Sequence, residues 1–435
     1  MKQIQYLFFV FLILFVYQNC GNVNLQAQKE LSSSSGQSSA IDSTVDFCIR
    51  KSQKIFDLGY DLIPSGQKKY NNNVSTFAIK DRVFVLTEQE YGPVQMDLGK
   101  MRVIRKIKMF DMSNQSVKDI SFVGSQWENH VASGLPYCFI SDAVSNLSSA
   151  LYVYLSCNDK RSIYQINYNG DKVKLMDIDS TLGIAGNMGG LMIDSDKNLL
   201  VFTSKYENSK VNVQLKKILG NQLVDVGGIL SYAADPTIER MFDYTTFYKD
   251  AIGNYYYFFK DLKKPSYTDP HYYIYNSNTQ QKIELSAQCE SHIISAGLRL
   301  DKIFCYKVQF EQVSATQSRF LPHDIYSYSL NNPSQTTKLT ASGLLPLYFH
   351  TYFIAHSQLM ITQTPNVPQD STVKTWLSAD LGQSFEEVQN FQLVAFNKNT
   401  LAMSETNRVF YASSPDMNDM FSGKANWHLH ELVCQ

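Results

Sequence analysis

From about residue 45 the chain either alternates apolar and polar positions or places several apolar residues in a row, between clusters of Asn, Gly, Asp and Ser. Alternation is the signature of strands, and the longer helical period is almost absent. One object returns seven times: a strand, a short polar turn, and a second, more apolar strand. The copies are FAIKDRVFVLT from Phe77, CFISDAVSNLSSALYVYLS from Cys138, GLMIDSDKNLLVFTS from Gly190 and TFYKDAIGNYYYFFK from Thr246. They continue with HIISAGLRLDKIFCYKV from His292, YFIAHSQLMITQT from Tyr352 and QLVAFNKNTLAMSE from Gln392. Starts fall about 40 to 61 residues apart. One or two further candidate strands follow each hairpin, as at 162–167 and 173–178, or at 271–275 and 281–285. Turns such as Asn167-Tyr168-Asn169-Gly170-Asp171 join them, with residue types that accept a left-handed backbone.

Four strands per repeat at this interval is the blade of a propeller. The expected fold is all-β: a single β-propeller of about seven four-stranded blades over residues 45–435, with six or eight blades also compatible with the spacing. A pair of β-sandwiches is the rival, because sandwich strands recur at similar intervals. The return of one apolar hairpin favours the propeller. The 27 Tyr cluster in runs such as Tyr255-Tyr256-Tyr257, where packed strands use aromatic rings; sugar-binding platforms are the alternative use.

The N-terminus is different in kind. Lys2 precedes an apolar run from Tyr6 to Tyr17, followed by Gln18-Asn19-Cys20-Gly21. The run is shorter than the roughly 20 residues of a membrane-spanning helix and fits the core of a secretory signal. With Cys20 directly after it, the segment resembles a bacterial lipoprotein signal, although Tyr17 and Asn19 stand where the usual box has Leu and a small residue. The resemblance implies removal of residues 1–19, a lipid on Cys20, and attachment to the cell envelope, in the outer membrane because no Asp follows the Cys. An ordinary signal peptide with an incidental Cys20 is the alternative. Residues 20–44 include Ser32-Ser33-Ser34-Ser35-Gly36 and read as a flexible tether.

A formal net charge of −1 gives no reason to expect a nucleic acid partner. The partners expected are the membrane, through the lipid, and a protein or glycan ligand held by a monomer. Seven Cys are present, six of them if Cys20 carries lipid, and an even number in an oxidising compartment suggests disulfides. Cys138 and Cys157 flank the second hairpin, and Cys289 and Cys305 the fifth. Cys48 and Cys434 stand near the two ends. A propeller ring is commonly closed by an N-terminal strand joining the last blade; residues 45–49 or 54–58 can supply it, and a Cys48–Cys434 bond would lock it.

One turn carries a sharper motif. Ser378-Ala379-Asp380-Leu381-Gly382-Gln383-Ser384-Phe385 stands between candidate third and fourth strands at 373–378 and 386–389. It resembles the Asp box of the BNR repeat of sialidase-like propellers, through Ser378, Asp380, Gly382, Ser384 and Phe385. The resemblance implies a structural turn remote from an active site. A degenerate second copy runs Ser413-Ser414-Pro415-Asp416, with Trp427 later. The Arg-Ile-Pro motif of sialidases is absent, which argues against that activity.

No catalytic constellation, metal site or cofactor motif emerges. His428 and His430 share a strand face as two metal ligands can, with no third ligand apparent; an exposed last strand is the simpler reading. Lys100, Arg102, Arg105, Lys106 and Lys108 form a basic strand, read as a solvated face with contact to acidic glycans or lipids as the alternative. Propellers bind ligands on the loops from one blade's outer strand to the next blade's inner strand. The longest such loops here are expected at 121–137 and 227–244; they hold Trp127, Glu128, His130, Asp235, Glu239 and Arg240 as ligand-binding candidates. The function expected is non-enzymatic binding of a protein or glycan at the envelope. A periplasm-facing assembly scaffold and a glycan-active hydrolase or lyase are the alternatives, the latter with Glu128 and Glu239 as a conceivable acid and base pair.

Overall fold

The computed structural model describes residues 50–60, 66–95, 102–120, 128–130, 138–157, 160–178, 190–194, 196–233, 235, 237–249, 253–263, 268–285, 292–296, 302–306, 309–314, 317–321, 325–329, 336–339, 349–354, 358–363, 375–378, 386–389, 401–404, 408–413 and 426–434. Strand β1 (Arg50–Tyr60) stands apart in sequence from its sheet. The first sheet holds β2 (Gln67–Ile79), β3 (Arg82–Pro93), β4 (Arg102–Asp111) and β5 (Ser116–Ile120), with β6 (Glu128–His130) also on β4. The second holds β7 (Cys138–Ser145), β8 (Ala150–Cys157), β9 (Lys160–Asn167) and β10 (Lys172–Ile178). The third holds β11 (Leu191–Ile193), β12 (Leu199–Glu207), β13 (Lys210–Leu219) and β14 (Gln222–Ala233). The fourth holds β15 (Ile238–Lys249), β16 (Tyr255–Lys263), β17 (Thr268–Asn276) and β18 (Lys282–Glu284).

The fifth sheet is β19 (His292–Ala296), β20 (Lys302–Tyr306), β23 (Ile325–Ser329) and β24 (Thr336–Leu339); the hairpin β21 (Gln309–Ser314) with β22 (Gln317–Leu321) interrupts it. The sixth is β25 (Phe349–Ile354), β26 (Gln358–Gln363), β27 (Thr375–Ser378) and β28 (Glu386–Glu387). In the last, β29 (Leu401–Met403), β30 (Val409–Ser413) and β31 (Asn426–Cys434) are completed by β1 on the outer side. Among the described residues every sheet is antiparallel, and β2, β7, β11, β15, β19 and β25 adjoin one another in that order, with β29 against β2. Sheets standing side by side around their first strands, with the N-terminus closing the last one, make a β-propeller.

Six of the seven expected hairpins are the first two strands of a sheet. The seventh is displaced. Leu401–Met403, expected as its second strand, is the first, and the turn is Ser404 to Arg408, where the Ser404 amide donates to the Arg408 carbonyl at 2.9 Å and the Arg408 amide to Ser404 Oγ at 3.2 Å. The same turn joins β7 to β8 and β11 to β12: Asn146 Oδ1 accepts the Ala150 amide, and Asp194 Oδ1 the Asn198 amide, each at 2.8 Å. A short polar side chain therefore caps this hairpin repeatedly. Because β30 is a second strand, Ser413 to Asp416 begins after a second strand and not after a third, which removes it as an Asp box. The strict box does fall between a third and a fourth strand, β27 and β28; of its residues only Ser378 is described.

The first and third sheets are each sandwiched between neighbours, which explains apolar runs buried on both faces. Val83 and Val85 pack with Phe410, Trp427 and Leu429 of the last sheet, while Phe84 and Leu86 pack with Leu151 and Val153 of the second. Leu199 and Val201 face the second sheet; Leu200 and Phe202 face Tyr257 and Phe259 of the fourth. Full burial of each such side chain contributes about 1.5–3 kcal/mol. Between the third and fourth sheets the backbones nearly touch. The Gly228 amide donates to the Ser277 carbonyl at 2.7 Å, and a Cβ on Gly228 would stand 2.4 Å from that oxygen. Gly227 beside it has φ of +76°, a second reason for glycine there.

The closing strand pairs from Arg50 opposite Cys434 to Tyr60 opposite Asn426, so it includes the expected segment 54–58. Placing β1 outside β31 buries His428 and His430, which corrects the expectation of an exposed last strand. His430 stacks on Tyr411 and bonds Ser52 Oγ through Nδ1 at 3.2 Å and Ser413 Oγ through Nε2 at 3.0 Å. Ser52 and Tyr411 also share a hydrogen bond, and His428 pairs with Asp57. Both histidines thus clasp β1 to the sheet, and among the described residues no group of three potential metal ligands forms. Cys138 stands directly opposite Cys157 in the β7–β8 register, and Cys305 opposite Ile293; Cys20, Cys48 and Cys289 lie outside the described residues.

Candidate functional site

Each sheet's last strand ends, and the next sheet's first strand starts, at one end of the propeller, the mouth end. At that end, along the seam between the third and fourth sheets, polar and aromatic side chains gather on one face. Register dictates the grouping. Arg240 on β15 is opposite Asp261 on β16, which is opposite His271 on β17; one step further in, Phe259 is opposite Tyr273, which is opposite Glu284 on β18. Tyr257 and Tyr275 continue the same face into the apolar seam. The row therefore passes from core to surface as alternate residues of each strand.

Arg240 and Asp261 form a bidentate pair, Nε to Oδ1 and Nη2 to Oδ2, both at 2.5 Å. The Arg240 guanidinium lies over the Tyr232 ring at 4.3 Å and over Phe259 at 5.0 Å, so it is held by two rings and a carboxylate. Lys282 lies over the Tyr273 ring at 3.5 Å, with Nζ 4.0 Å from Asp261 Oδ2. Burial of its stem against these rings lowers the Lys282 pKa from the usual lysine range, while its side chain keeps 43% of its exposure. Burial also raises the hydroxyl pKa of Tyr232 and Tyr273, so both are neutral donors. His271 Nδ1 meets Glu284 Oε1 at 2.8 Å, and its ring runs beside Tyr273 at 6.4 Å and 22°. A carboxylate-oriented imidazole, a lysine of reduced basicity and a ladder of rings thus share one ledge. Its donors and acceptors lie beside aromatic surface, with His271, Glu284 and Lys282 open to solvent.

Of the expected candidates, only Arg240 is part of this ledge. Glu239, beside it, is opposite Leu262. Asp235 is exposed and spends its carboxylate on the turn, accepting the Thr237 amide at 2.8 Å and hydroxyl at 2.6 Å, which holds its pKa below the usual range. The expected loop 227–244 is mostly strand, since β14 runs to Ala233 and β15 starts at Ile238. Glu128 and His130 are also in a strand: they lie on β6, opposite Ile104 and Arg102, at the outer edge of the first sheet. Trp127 lies outside the described residues. Sequence reasoning missed Asp261, His271, Tyr273, Lys282 and Glu284 because they sit on strands; the signal available was that Asp261 and His271 stand at the same alternate positions as the rings Tyr257 and Phe259 on β16 and Tyr273 and Tyr275 on β17.

No family model matches the chain, and no curated protein matches it. Solved structures of similar fold include a polysaccharide lyase, at 9% identity and a TM-score of 0.46 over 89% of this chain and all 100% of that one. An α-L-arabinanase of Penicillium chrysogenum is similar at 11% identity and a TM-score of 0.38, over 68% of this chain and 98% of that one. An uncharacterized protein of Listeria monocytogenes is similar at 9% identity and a TM-score of 0.36; 57% of this chain spans 64% of its length.

Proposed function

We propose that the protein binds a carbohydrate chain on the ledge at the mouth end of the third and fourth sheets, held at a bacterial envelope by a lipid on Cys20. One observation carries the binding reading: Arg240, Asp261, His271, Lys282 and Glu284 are fixed by mutual pairing around Tyr232, Phe259 and Tyr273, with Lys282, His271 and Glu284 still open to solvent. Such groups are oriented before a ligand arrives, which lowers the ordering cost of binding. The test is a glycan array probed with the detergent-solubilised full chain. Retention of one glycan class is expected, weakened at least about tenfold in Tyr273→Ala and in Lys282→Ala, with little change in unfolding midpoint. Equal retention by the variants, or none by the native protein, refutes the reading.

The His271–Glu284 pair favours a second reading, turnover of the same ligand. Glu284 orients the imidazole for proton transfer, and Lys282 beside it can steady developing negative charge. New chain ends in a digest by the native protein, absent with His271→Gln, would establish it; intact glycan after long incubation would leave binding alone.

The anchor and the three disulfides (Cys138–Cys157, Cys289–Cys305 and Cys48–Cys434) belong to the same proposal, supported for the first by the register of β7 with β8. Non-reducing peptide mapping of the native protein checks both. A lipidated N-terminal peptide starting at Cys20 and three linked pairs are expected; a free Cys138 or an unmodified Cys20 overturns the corresponding part.

A further inference from the structure

A second charged group lies at the mouth end of a different seam, between the first and second sheets, and nothing in the ledge involves it. Arg105 on β4 shares a face with Ile107 and Met109, the row that packs against the second sheet. Its side chain has no exposed surface. On one edge, Nε meets Oε2 of Glu88, the residue opposite on β3, at 2.5 Å. On the other edge, Nη1 and Nη2 are buried with no hydrogen-bond partner among the described residues.

That state is costly in water's absence. A buried guanidinium stripped of hydration needs acceptors for its N–H groups, and a buried charged donor left without one is unfavourable. Arg240 shows the satisfied alternative in the same fold: two oxygens of one carboxylate on the fork and two rings on its faces. For Arg105 the edge formed by Nη1 and Nη2 is the planar fork that matches two oxygens of a carboxylate or sulfate. Arg105 stands near one end of its sheet: β3 ends at Pro93, and β4 starts at Arg102, three residues before Arg105.

We propose that Arg105 is an oxyanion-binding residue, its Nη1–Nη2 edge taking a carboxylate or sulfate group while Glu88 holds the Nε edge. The group is either a free inorganic anion or an acidic substituent on a glycan, and both present the same pair of oxygens. Glu88 shares the positive charge and so sets the affinity: the site is weak while Glu88 is ionised beside it and tighter once that charge is removed.

The experiment is thermal unfolding of the full chain in sodium sulfate against sodium chloride at matched ionic strength. The native protein should gain melting temperature in sulfate beyond the gain of Arg105→Met/Glu88→Met, in which the pair is replaced by apolar side chains of similar volume. Glu88→Gln should half-saturate at roughly tenfold lower sulfate than the native protein. The same sulfate gain in the double variant, or no tightening in Glu88→Gln, overturns the proposal. A third arm separates the sources: uronate-bearing or sulfated oligosaccharides competing with sulfate, where the uncharged sugars do not, identify a glycan substituent, and competition by none of them identifies the free anion. This outcome is independent of the ledge, whose variants leave Arg105 untouched.

Discussion

The seam between the first and second sheets and the seam between the third and fourth are built alike and finished differently. Each has an apolar centre shared by two sheets and an arginine–carboxylate pair toward the mouth. On the third–fourth seam the pair is bidentate, flanked by Tyr232 and Phe259, and keeps some contact with water, with side-chain exposures of 16% and 12%. On the first–second seam the arginine is fully enclosed and uses a single nitrogen. The first arrangement completes itself; the second has donor capacity that its described neighbours do not use. A propeller repeats a scaffold, and the repeats diverge where one charged pair is satisfied internally and another is left to a ligand.

The largest expected effect comes from removing the carboxylate of each pair. Glu88→Ala strands the Arg105 charge in an apolar seam and should cost about 3–5 kcal/mol, the usual penalty for breaking a buried pair from one side. Asp261→Ala should cost about 1–2 kcal/mol, because Arg240 keeps its two rings and reaches water. Urea unfolding of the two variants beside the native protein measures both. Equal losses would mean that the two seams are energetically equivalent and that the enclosure of Arg105 has no consequence.

How far this was legible in the sequence follows from where each signal lies. Hairpins such as Phe77 to Thr87 were readable because both faces of each strand are buried, giving apolar runs too dense for a one-sided sheet. The closing strand was readable as a segment, since Ile55, Phe56 and Leu58 make residues 54–58 a short apolar stretch, but its extent and its bulges needed the register with β31. The seventh hairpin shifted because Phe396-Asn397-Lys398-Asn399-Thr400 and Ser404-Glu405-Thr406-Asn407-Arg408 have equally good turn composition, and only the partner strand chooses between them. The ledge was readable at Arg240 alone. Loops were expected to carry function, whereas Asp261, His271 and Lys282 meet through cross-strand register, which no single segment encodes. Arg105 departs from the solvated face expected of the basic strand because it has the parity of Ile107 and Met109, two core residues.

The closing sheet sharpens the comparison from a third side, with a buried imidazole, His430, whose two ring nitrogens are both hydrogen-bonded and which is uncharged near neutral pH. His430 lies between Ser52 and Ser413, and burial, then His428 and then Lys54, lower its pKa from 6.5 to about 4. Asp57 is the carboxylate nearby, already paired with His428 and Lys54, and Glu431 on the same strand is held by Arg408. A base with a depressed pKa is neutral in the fold but takes up a proton in the unfolded chain below about pH 6.5. Its contribution to stability is therefore complete above that value and declines as the pH falls toward about 4. The loss should be of order 2 kcal/mol after screening by nearby solvent is allowed for. Acid thereby places a buried cation in the clasp with neutral hydroxyl oxygens as the acceptors on its two ring nitrogens, and loosens β1. Urea midpoints from about pH 7 down to about pH 4 should fall more steeply for the native protein than for His430→Gln, which keeps a polar group but cannot take up the proton. Parallel slopes would mean that the closure is indifferent to charge, and that a buried cation is tolerated in this fold at His430 as at Arg105.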